Sequence, residues 1–171
     1  MKAAHNKRYF AMAVIALLAA CAPSQPPAGP AEITASTACD LDGMVLSEYP
    51  GPKGQLLYAD DKNPLFFCDT LELFNVILKP EQKRQIQAIY VQDMSKTDWD
   101  NPKGAWMDAR TAFYVVGSSK HGSMGPTIGS FSSEPDAQKF ATQFGGKVYA
   151  FAEMKPDMAV LDGGALHDQQ M

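Results

Sequence analysis

The chain has 171 residues, 46% hydrophobic and 20% charged, with a formal net charge of -4. This composition suits one compact domain, or two small units sharing a core, and excludes a wholly disordered chain. It also excludes the basic surface of a nucleic-acid binder, and three cysteines are too few for a disulfide-dense scaffold or an all-cysteine zinc site.

The N-terminus reads as an address. Lys2, Lys7 and Arg8 precede an uninterrupted apolar run of 11 residues, Phe10 to Ala20. That run is too short to cross a bilayer core of roughly 30 Å, but it has the length of a signal-peptide core. It ends in Leu18-Ala19-Ala20-Cys21, which resembles the bacterial lipobox. The resemblance implies cleavage before Cys21, thioether lipidation of its sulfur and acylation of the new amino end, with palmitate among the acyl groups. Two or more chains hold a protein stably on a membrane. Ala22 in place of Asp favours the outer membrane. Loss of residues 1–20 leaves 12 basic and 19 acidic side chains, a net charge of about -7.

Residues 21–37 are expected to be a tether. Four of the twelve prolines fall between Pro23 and Pro30, a composition that cannot bury a core.

In the folded part, Met44 to Leu46 and Gln55 to Tyr58 are apolar stretches around the turn-rich Tyr49-Pro50-Gly51-Pro52-Lys53-Gly54, which predicts a hairpin. Leu65 to Phe67 predicts a further strand. Asp69-Thr70-Leu71-Glu72 has capping-box spacing, and Leu71, Phe74 and Leu78 would share a helix face. Pro80 closes that helix or starts another turn, and Ile86 to Val91 returns as a strand. Thr111 to Val116 is β-branched and aromatic, a strand pattern, and Ile128 to Phe131 is another. Ser133 and Pro135 suit a helix start. Ala137, Phe140, Ala141 and Phe144 give its apolar face, Gly145-Gly146 its end, and Lys147 to Ala152 the last strand. The pattern repeats: strand, cap, amphipathic helix, strand, acid, Met94 or Met154. The fold class expected is α+β, two similar β-β-α-β units from an internal duplication. The first would span residues 38–104 and the second 105–158, followed by a flexible tail over 159–171.

Catalytic signatures are missing. There is no Cys-x-x-Cys pair, no Gly-x-Ser-x-Gly elbow and no phosphate loop, so an enzyme is not expected. Soft donors are more informative. Cys39 and Met44 stand five residues apart with Gly43 between them, and a thiolate with a thioether selects Cu(I) over hard cations. His121-Gly122-Ser123-Met124-Gly125-Pro126 forms a second cluster on a glycine-rich loop, from which Met124 or His121 could complete a three-coordinate site. The other readings are core packing for Met94, Met107, Met154 and Met158, burial of Cys68, and a Cys39–Cys68 disulfide contributing roughly 3–4 kcal/mol. Asp98 and Asp100 around Trp99 read as a solvated turn.

Several segments together resemble the NosL family, lipoproteins of nitrous-oxide-reductase gene clusters: Cys39 to Met44 with Gly51-Pro52-Lys53-Gly54-Gln55; Ile89 to Met94; Trp106 to Val115; and Ser123-Met124-Gly125. The resemblance covers about Cys39 to Met158. It implies a periplasm-facing Cu(I) chaperone that serves denitrification by supplying the copper centres of nitrous oxide reductase. Its partner would be the dedicated ABC-type transporter assembly with a periplasmic β-helical subunit. By position, the family's copper donors carry over to Cys39, Met44 and Met124, with His121 as an additional nitrogen donor. The resemblance also implies two similar β-β-α-β units. A non-metal adaptor lipoprotein and a thiol enzyme using Cys39 or Cys68 remain as alternatives.

Overall fold

A computed structural model describes residues 29–161. The leader, Cys21, most of the tether and the end of the tail lie outside them. Among the described residues no helix is long and apolar enough to cross a membrane.

The first sheet is built around β1 (Gly54–Tyr58). It pairs antiparallel with β2 (Leu65–Phe67) on one side and β3 (Ile86–Gln92) on the other, and β4 (Trp106–Asp108) extends the sheet beyond β3. All five β1 residues are buried, as a central strand requires. Helix α1 (Thr70–Ile77) lies across β1 so closely that a Cβ on Gly54 would sit 2.9 Å from the Leu73 side chain. The helix buries Leu73 and Phe74 completely. The face expected from Leu71, Phe74 and Leu78 is therefore shifted: Leu71 and Leu78 are only partly buried at the core edge.

The predicted pairing of 44–46 with 55–58 does not form. Residues 37–46 close on themselves instead. Cys39 N donates to Met44 O at 2.8 Å, Gly43 N to Cys39 O at 2.9 Å and Leu46 N to Thr37 O at 3.0 Å. Gly43 takes φ 80°, the left-handed region open to glycine. This tight turn satisfies locally the backbone groups that a longer hairpin would have paired, and a 3-10 turn over Leu46–Glu48 follows.

The second sheet has the order β8-β5-β9, with β5 (Phe113–Val116), β8 (Gly129–Phe131) and β9 (Lys147–Ala150). A two-stranded hairpin, β6 (His121–Gly122) and β7 (Gly125–Pro126), interrupts it. Helix α2 (Glu134–Phe144) starts where expected, with Ser133 accepting from Asp136 N. The last strand is shorter than predicted, because a 3-10 turn takes over at Phe151–Glu153.

Each sheet places its first strand centrally, flanks it with the second and third, and inserts the helix between those two. The α+β class is as expected, and this shared order is consistent with duplication. One hydrophobic core joins the halves. Leu56, Phe74 and Ile89 pack with Tyr114, Ile128 and Met154, and Phe74 meets Tyr114 edge-on at 4.7 Å. A second cluster, with Met94, Val115, Phe131, Ala137 and Ala141, lies under α2. Met94 and Met154 are thus core residues, while Met107 and Met158 are partly buried against the core.

Candidate metal centre

Two cysteines 29 positions apart meet because the 37–46 turn lies against the end of β2. Asp40 N donates to Phe66 O at 2.8 Å, and Phe66 N to Asp40 Oδ2 at 2.6 Å. Cys39 and Cys68 are both buried and both free, so the disulfide alternative is not realised. One donor atom each from Cys39, Asp42 and Cys68 lies within 4.8 Å of the others. Asp42 is exposed and marks the mouth of this group. Met44 packs, half-buried, against the cluster of Cys39, Leu46 and Cys68.

Glu72 supports the thiols from α1. Its Oε2 lies 3.1 Å from Cys39 Sγ, the two sharing one proton, and accepts from Cys68 N at 3.0 Å. A closed capping box would have sent this carboxylate to the Asp69 amide; it reaches one residue further back instead. Only half of the box survives, with Asp69 Oδ1 accepting from Glu72 N at 3.1 Å.

The electrostatics follow from burial among like groups. Cys39 is brought down to about 6, chiefly by the Cys68 thiol beside it, then by the Cys68 and Leu41 amides and by Glu72, against the opposing effect of burial. Cys68 is pushed up because Cys39 beside it ionises first and because it is buried. Burial, the Asp69 charge and Cys39 raise Glu72 to about 8, and burial also raises Asp69. Near neutrality the pair holds one thiolate, on Cys39, flanked by proton-bearing neighbours. Lys53 stands behind this group, 1% exposed. Burial lowers it to about 8.

The β6–β7 hairpin is docked onto α1. Ser123 Oγ donates to Asp69 Oδ2 at 3.0 Å and contacts Glu72 Oε1 at 3.1 Å, and its amide donates to Asp69 Oδ2 at 3.3 Å. Gly122 makes the approach fit, since a Cβ there would fall 2.6 Å from Asp69 Oδ2. Met124 follows on the hairpin. It is 44% exposed and lines an open cavity of about 270 Å³ with Asp69, Leu71, Glu72 and Met158. Glu72 is therefore a wall shared by the thiol group and the cavity. His121 is exposed on β6. Its carbonyl accepts from Trp99 Nε1 at 2.9 Å, and its imidazole is outside the Cys39–Asp42–Cys68 group.

Of the donors read from the sequence, the fold packs Met44 against the cluster of Cys39 and Cys68 and sets Met124 on the cavity that Glu72 also lines. It adds Cys68, Asp42, Glu72, Lys53 and Ser123, which donor spacing did not single out. The capping position of Glu72 was the one local signal among them, and it pointed to a helix end rather than a thiol.

The NosL family model matches residues 30–159. A relative from Stutzerimonas stutzeri, a "Copper-binding lipoprotein NosL", is 36% identical over 138 residues, 78% of this chain and 72% of its own length. Another of the same description, from Achromobacter cycloclastes, is 38% identical over 153 residues, 86% of this chain and 79% of its own. The crystal structure of the copper chaperone NosL from Shewanella denitrificans is similar with a TM-score of 0.75 at 43% identity, covering 77% of this chain and 99% of that one.

Proposed function

The chain belongs to the NosL family, and from that premise we propose that it is a membrane-anchored copper chaperone, a carrier rather than an enzyme. The observation that carries this reading is the convergence of two free thiols and a carboxylate within 4.8 Å, beside a thioether. Paired sulfur donors suit a soft monovalent ion, so the cargo is assigned as Cu(I). Cys39 and Cys68 form the seat and Met44 completes it. Asp42 stands at the mouth. Met124 meets the ion on the Glu72 side, and His121 is a nitrogen donor on the exposed rim of the same hairpin.

Binding must displace thiol protons. Cys39 has largely given up its own near neutrality, and Glu72 Oε2 is placed to exchange the proton next to it. A site closed on one side by the 37–46 turn, with Asp42 exposed at its mouth, lets an incoming ligand share the ion before the donors release it. The chaperone would hand copper to the transporter assembly, with its β-helical periplasmic subunit, that matures nitrous oxide reductase. The lipid on Cys21 would hold it to the periplasmic side of a bacterial membrane, the outer one by the residue after the anchor.

A competition titration against a Cu(I) chelator, under reducing anaerobic conditions, tests the reading. One Cu(I) per chain, lost in Cys39→Ser, supports it. A chain that takes up no Cu(I) would instead be the adaptor. Met124→Ala should lower the number of sulfur neighbours seen by X-ray absorption, and an unchanged count removes Met124 from the site.

A further inference from the structure

The converging sulfur donors favour a soft ion but do not by themselves exclude zinc. Thiolate and carboxylate are ordinary zinc ligands, and the group offers both in Cys39, Cys68 and Asp42. Selectivity therefore needs a further element, and the segment Gly51-Pro52-Lys53-Gly54 supplies one. Lys53 is the fully buried Lys or Arg among the described residues. Its Nζ donates to Tyr49 O at 2.8 Å, Pro50 O at 3.0 Å and Cys68 O at 2.9 Å. Three carbonyl acceptors need three N–H donors, which the ammonium has and the neutral amine lacks. The positive charge is thus fixed against the backbone of a thiol donor, and it faces Cys68, Asp69, Glu72 and Cys39.

We propose that Lys53 determines the charge of the cargo: its ammonium, locked behind the Cys39–Cys68 seat, selects a monovalent soft ion over a divalent one. The inference rests on the copper-carrier reading and adds the discrimination between ions. Coulomb repulsion scales with the charge of the ion, so the same ammonium opposes Zn(II) twice as strongly as Cu(I), with little water to screen it. Lys53 also anchors the 49–50 backbone, which is a structural duty. Loss of anchoring alone would weaken both ions by one common factor and leave their ratio unchanged.

The experiment measures Cu(I) and Zn(II) affinities by chelator competition on the full-length chain in detergent, reduced and anaerobic, for the wild type, Lys53→Met and Lys53→Arg. The expected result is a fall of the Cu(I)-over-Zn(II) preference on the order of tenfold in Lys53→Met, with the preference kept in Lys53→Arg. If Lys53→Met does not fold, Lys53→Gln, which keeps a donor for the carbonyls, carries the same comparison. An unchanged ratio in a folded neutral variant overturns the role of Lys53 and leaves the carrier reading standing. A wild-type chain that binds no Cu(I) overturns the carrier reading, and this inference with it.

Discussion

The chemistry concentrates in a few side chains whose protonation is set by one another. Cys39 and Cys68 share a buried space in which one thiolate is tolerated and two are not, and the proposed carrier role uses both. Cys68→Ser should therefore weaken Cu(I) binding by at least the about 10–100-fold that loss of a supporting partner costs a metal site. Chelator competition reads this directly, and wild-type affinity in Cys68→Ser would return the site to Cys39 alone. Glu72 gives a pH signature. It holds its proton up to about 8 in the fold, against an ordinary 4.5, so the folded state binds more protons than the unfolded one across that window. Stability must then fall as pH rises through it. Cys39, brought down to about 6 from 9.0, acts oppositely between those values. The range from 4.5 to 6 is thus governed by Glu72, with Asp69 acting in the same direction. Thermal unfolding of the metal-free chain should show Tm dropping from pH 5 to pH 6, with a flatter slope in Glu72→Gln. Equal slopes would assign the proton elsewhere.

Among the elements, the β6–β7 hairpin and α1 are the pair whose contact matters to the site. Ser123 bridges two acids of the helix, and Gly122 leaves the gap through which they meet. Gly122→Ala would press a methyl group against Asp69 Oδ2 and the Thr127 side chain. The expected cost is about 1–3 kcal/mol, the usual scale of overpacking. Denaturant unfolding measures it, and a change below about 0.5 kcal/mol would mean that the hairpin moves freely off the helix. The sequence announced both helices through their caps and apolar spacing, because those signals lie within one or two turns. It misplaced the strand at 44–46, because the 37–46 turn had its own hydrogen-bonding solution, held by Gly43 and docked on Phe66.

At the scale of the molecule, the two halves share one core despite their repeated plan. Tyr114 is fully buried against Phe74 and donates to Ala109 O at 2.6 Å. Ser130 Oγ donates to Gln92 O at 2.7 Å and Met94 N to Ser130 O at 2.9 Å, tying β3 to β8. Neither sheet covers its own inner face, and units of this size have thin cores alone. A fragment of residues 29–104 should therefore fail to fold. Circular dichroism without a cooperative thermal transition is the expected result; a sharp transition would show that the first sheet is self-sufficient.

Sequence alone determined the features written in short-range pattern: α2 with its cap, most of the strands and the α+β class. Tertiary structure decided which groups share a site. Cys39 reaches Glu72 across 33 positions, Glu72 reaches Ser123 across 51, and Lys53 is buried beneath Cys68 by the folding of β1 against α1 and β2. Spacing along a chain reports neighbours within a turn or a strand. Encounters between buried charges depend on how sheets and helices pack, and on the low-dielectric interior that packing creates.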